Sequence, residues 1–194
     1  NKDTVLLGEA IWRGGIADEY NMIPPQNLFS FGQDTISQVG LAVTGDGLRF
    51  EVAAGGGDDA FSSRDSMQSR TPLPTDQWVH VAVTVAPEAA DYEPSSIFGV
   101  TGGRSVARIY VNGVEQANSL LTYSPSSVTD MTNNFLGRGQ EVGFKHFNGA
   151  MDDVRVYPRA LDVAEINDLA RAAAHPVNLA AGNSWSLTPP AGLE

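Results

Sequence analysis

Cysteine is absent from all 194 residues, so neither disulfides nor thiolate metal sites contribute, and the redox compartment is left open. Basic residues are scarce: 12 Lys and Arg stand against 23 Asp and Glu, for a formal charge of −11. A surface of that sign repels phosphate backbones, which argues against nucleic acid as a partner. No stretch approaches the roughly 20 consecutive apolar residues of a membrane helix, so membrane insertion is not expected. There is no Gly-x-Ser-x-Gly elbow, no His-Glu-x-x-His and no phosphate loop. No basic-then-apolar leader precedes the strand-like Thr4-Val5-Leu6-Leu7, and the chain reads as excised from a longer polypeptide. Leu193-Glu194 resembles a cloning scar and is set aside.

What is present is an ordinary hydrophobic content, 42%, arranged with a period of two. In Val39-Gly40-Leu41-Ala42-Val43 the larger side chains recur at alternate positions, Thr44-Gly45-Asp46-Gly47 supplies a turn, and Leu48-Arg49-Phe50-Glu51-Val52 alternates again, which predicts a β-hairpin. Gln77 to Val85 is a strand with four valines on one face. Ala107 to Val111 runs into Asn112-Gly113, two residues that tolerate positive φ and suit a tight turn. Asn134 to Gly137 and Gly149 to Tyr157 are further strands. One helix is expected, with Asp162 and Glu165 as a capping box and Leu161, Ile166 and Leu169 as its apolar stripe, ending before Pro176. Residues 177–187 read as an extra edge strand. Segments 53–65 and 87–105 read as long loops, either functional or insertions over the sandwich edge. The expectation is a single all-β domain over 1–192: two antiparallel sheets plus one short C-terminal helix.

Several of these segments together carry a resemblance. Trp78-x-His80-Val81-Ala82-Val83, Ile109 to Gly113, Phe135-Leu136-Gly137 and the closing stretch from Phe147 through Leu161 to Ile166 resemble the laminin-G-like, concanavalin A-like jelly-roll domains. Trp12-Arg13-Gly14-Gly15 and Leu28 to Gly32 are similar to an earlier strand and its neighbour. The likeness runs over about residues 4–170 in consistent order, and the usual opening strand is missing. It implies a two-sheet jelly roll acting as a carbohydrate-binding, lectin-like module of a larger secreted or cell-surface protein, often with calcium. The alternatives are a protein-interaction or spacer domain of an adhesin, or a polysaccharide-active lyase or glycosidase. Glucanases of the wider superfamily carry Glu-x-Asp-x-x-Glu on one strand, as glycoside hydrolysis requires paired carboxylates. That pattern is absent, and Glu88, Asp91 and Glu93 are wrongly spaced, so no catalytic residue is assigned.

Strict alternation puts Asp152 with Val154 and Val156 on the core face, where a carboxylate needs compensation. Either calcium supplies it, as in laminarinase-type relatives with a similar strand, or backbone N–H groups or an arginine do. Asp58 and Asp59, after three glycines, are weaker candidate calcium ligands, and a solvated acidic loop is the alternative. Opposite strand faces carry Arg49, Arg108, Tyr110, Arg155 and Tyr157. Arginines and aromatics on one sheet surface suit an anionic glycan, while ordinary cross-strand pairing is the competing explanation. Trp78 and His80 read as structural, the imidazole satisfying a buried backbone group. His146 and His175 read as surface residues, and Trp12 and Trp185 as core fillers or ligand platforms. The ligand's identity and the oligomeric state are left open.

Overall fold

The period-two segments have one apolar face each and bury it by stacking as two layers. A computed structural model describes residues 5–14, 24–55, 64–87, 104–128, 131–140 and 146–172. In it these segments become β1 (Val5–Trp12), β2 (Gln26–Asp34), β3 (Ser37–Thr44), β4 (Gly47–Ala54), β5 (Arg64–Gln68), β6 (Trp78–Pro87), β7 (Ser105–Val111), β8 (Val114–Leu121), β9 (Asn133–Leu136) and β10 (Gly149–Tyr157), followed by helix α1 (Val163–Ala172). The strands form two antiparallel five-stranded sheets. Sheet A runs β10-β1-β6-β7-β8 and sheet B runs β5-β4-β3-β2-β9. This is the expected jelly-roll sandwich.

The core is what the alternation predicts. Val79, Val81, Val83 and Val85 of β6 and Ala107 and Ile109 of β7 face Val39, Leu41 and Val43 of β3 and Leu48, Phe50 and Val52 of β4 in one buried cluster. Leu41 and Phe50 are direct cross-strand partners and are both buried. Burying a side chain of this size contributes roughly 1.5–3 kcal/mol. Trp12 belongs to the same cluster, so of its two expected roles it fills the core. Both hairpin turns lie where turn chemistry puts them. Asn112 and Gly113 adopt φ values of 50° and 79°, the left-handed pair a tight hairpin requires. A side chain at Gly113 would collide with the carboxamide of Asn167 on α1, so the turn and the helix meet at close range.

Helix α1 starts with the expected reciprocal cap. The Glu165 N–H donates to Asp162 Oδ1 at 2.9 Å and the Asp162 N–H donates to Glu165 Oε2 at 2.9 Å. Its apolar stripe lies on the outer face of sheet A, where Leu161 and Ile166 are buried with Ala82 and Tyr110, and Leu169 and Tyr157 pack alongside.

Two expectations need correction. The loop 53–65 is shorter than predicted, because Ala53 and Ala54 still belong to β4, and Arg64 and Asp65 open β5. Strand β5 sends one apolar side chain, Met67, into the core and so has no alternation to read; residues 56–63 lie outside the described residues, as do 88–103 and the proposed edge strand 177–187. The second correction concerns β10. Its register against β1 passes from Glu9↔Asp152 to Leu7↔Arg155, so Asp153 and Val154 stand against Gly8 alone. This is a β-bulge with an extra residue, and Asp153 takes a φ of 52°. One inserted residue reverses which face the side chains take. Asp152 therefore shares the outer face with Glu9, while Met151 packs against the core. Val154 and Val156 remain 36% and 56% exposed.

Candidate functional site

The sandwich has two outer faces, and their fates differ. On sheet A the outward side chains include Trp78, His80, Ala82 and Thr84 of β6, opposite Glu9 of β1 and opposite Arg108 and Tyr110 of β7. Here the fold gathers four of the five expected ligand residues: Arg108, Tyr110, Arg155 and Tyr157. Their exposure differs: the Arg108 and Arg155 side chains are 40% and 44% exposed, and the tyrosines are covered further. Tyr110 is only 2% exposed beneath α1, with Tyr157 packed beside it, and burial raises the Tyr110 phenol above its ordinary value. Arg108 pairs with Glu115 at 3.4 Å and Arg155 with Asp153 at 3.2 Å. The proposed single arginine–aromatic surface is corrected on this point: Arg49 lies on the other sheet.

Beside α1, Gly8, Glu9, His80, Asp153, Arg155, Leu169 and Ala172 line a shallow recess. His80 is buried and its Nδ1 has no hydrogen-bond partner. The expectation that the imidazole satisfies buried backbone is corrected too. That task falls to Asn112, whose Oδ1 accepts the His80 N–H at 2.9 Å while its own N–H donates to the His80 carbonyl. Burial first, and Arg155 second, hold the imidazole below its ordinary 6.5. His146 is exposed as expected.

Asp152 is exposed, and one of its oxygens accepts the N–H of Asp153 at 2.8 Å. The burial argument for calcium there fails with the bulge. Among the described residues no group of three or more His, Asp or Glu is placed to hold a metal ion. Asp58 and Asp59 lie outside the described residues.

Sheet B carries the second recess. In β3 the large residues point inward, so Gln38, Gly40 and Ala42 point outward. Gly40 and Ala42 carry little side chain there, and Gln38 and polar residues from the neighbouring strands stand around them. Pro25, Asn27, Gln38, Arg49, Glu51, Arg64 and Gln140 line a shallow recess floored by Gly40 and Ala42. Register explains the assembly: Arg49 opposes Ala42, Glu51 opposes Gly40, and Arg64 opposes Ala53.

The polar groups are tied down. Glu51 accepts from Arg49 Nη2 at 2.6 Å through Oε2 and from Arg64 Nη1 at 2.9 Å through Oε1. Arg64 also donates from Nη2 to the Thr35 carbonyl at 2.8 Å. Gln38 accepts the buried Ser30 hydroxyl at 2.7 Å, and Gln140 donates to the Asn133 carbonyl at 2.6 Å. On β9, Phe135 opposes Ser30 and carries the Arg138 guanidinium 4.5 Å over its ring. Planar amides, guanidinium forks and an aromatic edge around a shallow trough can bond the hydroxyls of a sugar and cover its apolar face. Only Arg49 of this group was anticipated as a ligand residue. The outward small residues of β3 were a readable signal for the trough; Arg64 was hidden in a segment read as loop.

The family model described as the concanavalin A-like lectin/glucanases superfamily, in its laminin-G form, matches residues 24–167. Solved structures agree on the fold. Domain 4 of AbnA, an extracellular arabinanase from Geobacillus stearothermophilus solved with arabinotriose, superposes with a TM-score of 0.62 at 17% identity, covering 87% of this chain and 66% of that one. The CBM40 of the Ruminococcus gnavus IT-sialidase, bound to α2,3-sialyllactose, gives 0.60 at 14% identity, covering 87% and 83%. A putative carbohydrate binding protein from Bacteroides ovatus gives 0.54 at 20%, covering 86% of this chain and 40% of that one. No functionally curated protein matches the sequence. With both the sandwich and a family model spanning most of its length, the chain belongs to the laminin-G-type family of the concanavalin A-like lectin/glucanases superfamily.

Proposed function

We propose that this chain is a non-catalytic carbohydrate-binding module of a larger secreted or cell-surface protein, and that it takes its glycan on the outer face of sheet B. The observation that carries the reading is the recess over Gly40 and Ala42, whose floor is buried and whose rim of fixed donors and acceptors includes the partly exposed Arg49. Preorganised polar groups bind with less ordering cost than mobile ones. The solved carbohydrate-binding modules of the same fold support it by analogy. The recess is poorly equipped for hydrolysis, which calls for two carboxylates in complementary roles. Among the described residues its lining has one, Glu51, and both of that carboxylate's oxygens are bonded by arginines.

The test is binding of the isolated chain to a broad oligosaccharide array, followed by calorimetry on whatever binds. Gln140→Ala and Arg49→Ala are expected to weaken the affinity about tenfold or more, because each removes donors from the bound sugar. Arg108→Ala, on the opposite sheet, is expected to leave it unchanged. A silent array, or equal binding by all three variants, would remove the sheet B reading. Calcium dependence is part of the proposal through Asp152, Asp58 and Asp59, and repeating the titration and the melting curve with a chelator decides it. Unchanged affinity and an unchanged midpoint would exclude calcium from the module's function.

A further inference from the structure

We infer that the sheet B recess selects a sugar bearing a carboxylate, read by the guanidinium groups of Arg49 and Arg64. The inference rests on the glycan reading of the same face and narrows it to a chemical class.

Charge is the first argument. Among the described residues the recess holds two guanidinium groups against one carboxylate, a local surplus of one positive charge in a chain whose formal charge is −11. A structural ion pair would close at one-to-one; here Glu51 is shared, one oxygen to each arginine. Sharing a single carboxylate sets the two guanidinium groups side by side and leaves their combined charge half neutralised.

Donor balance is the second. Arg64 is fixed at both terminal nitrogens, by Glu51 and by the Thr35 carbonyl, and its Nε is buried without a hydrogen-bond partner. That buried Nε is out of a ligand's reach; Arg49, bonded to Glu51 through Nη2 and 39% exposed, is the guanidinium with donors left to offer an arriving acceptor. Three acceptors of the recess are meanwhile engaged: both Glu51 oxygens take arginine donors, and Gln38 Oε1 takes the Ser30 hydroxyl, which leaves the amide oxygens of Asn27 and Gln140 for sugar hydroxyls. A neutral sugar brings hydroxyls that need acceptors as much as donors. A carboxylate brings acceptors alone, in the planar geometry that guanidinium forks fit.

Rigidity is the third. The arginine side chains are 39% and 22% exposed, and Glu51 is 13% exposed. Partial burial weakens solvent screening, so the charge surplus acts more strongly here than on an open surface.

The experiment uses matched pairs of soluble probes: a uronate trisaccharide and a sialylated trisaccharide, each beside its carboxyl-reduced neutral counterpart, titrated by calorimetry. At least one acid is expected to bind about tenfold or more tighter than its neutral partner, since a charge-assisted pair outweighs a neutral one by that order. Raising sodium chloride from about 50 to about 500 mM is expected to weaken the acid and leave the neutral partner unchanged. Arg49→Gln is expected to erase the preference, and Arg49→Lys to keep part of it. The wild-type pairs and the salt series decide the question even if a variant misfolds. Neutral partners binding as tightly as their acids, or binding confined to neutral sugars of the array, would overturn the acidic class while leaving the glycan site standing. If no sugar binds at all, both readings fall together.

Discussion

At the scale of single residues, His80 is the group whose charge state the fold controls most directly. It is buried beside β1 and β10, with Glu9 opposite it and Asp153 and Arg155 in the same recess. Burial and then Arg155 keep its imidazole below the ordinary 6.5. The sign follows from proton counting. Below 6.5 the unfolded chain takes a proton that the folded chain resists, so this part of the stability is constant above 6.5 and is lost as pH falls toward the lower folded value. Urea midpoints measured between about pH 7.5 and about pH 5.5 should decline, and His80→Gln should flatten the slope. A variant with the wild-type slope would show that the decline arises elsewhere. Only part of this was readable in advance: His80 reads as a structural, buried group, but what buries it does not. The sequence places His80 on the outward face of β6, but only the covering helix makes that face a buried one.

Among the elements, α1 is the most legible. Asp162 and Glu165 have the spacing of a capping box, and the structure makes both bonds. The Glu165 carboxyl titrates at about 2, chiefly because Arg159 bonds it and then because the Asp162 N–H does. A depressed carboxyl contributes above its ordinary 4.5, and its contribution is lost as pH falls toward about 2. By NMR titration, Arg159→Gln should bring Glu165 back toward 4.5, and a carboxyl still titrating near 2 would exonerate Arg159. Asp162→Ala should cost about 1 kcal/mol, lowering the melting temperature by about 2–4 °C. Strands were legible in proportion to their inward side chains. Strand β3 has Val39, Leu41 and Val43, whereas β5 has Met67 alone. The bulge in β10 was invisible because Asp152-Asp153-Val154-Arg155-Val156 looks like unbroken alternation. Whether β1 opposes it one-for-one is a property of the pairing, which local pattern does not encode.

For the molecule as a whole, the two outer faces differ in what lies on them: α1 packs over sheet A, and an arginine-lined recess marks sheet B. Tyr110 and Arg49 alternate outward on their strands with equal clarity, yet Tyr110 is sealed under Ile166 while Arg49 lines the trough. Tyr110→Ala should therefore cost about 3–5 kcal/mol by emptying the helix seat, with glycan affinity unchanged after correction for folded fraction. Weakened sugar binding at undiminished stability would move the recognition face to sheet A. The sandwich, its core and its helix could be inferred from one chain because apolar periodicity encodes layers; which layer recognises anything depends on what packs outside, and that is set by the path of the chain. The extra residue in β10 has a further consequence. Among the described strands β10 is the margin of sheet A, and at Asp153 its backbone turns into the left-handed region. An approaching strand from another copy meets a broken row of N–H and C=O groups there, so copies crowded together are guarded from zipping edge to edge into fibrils.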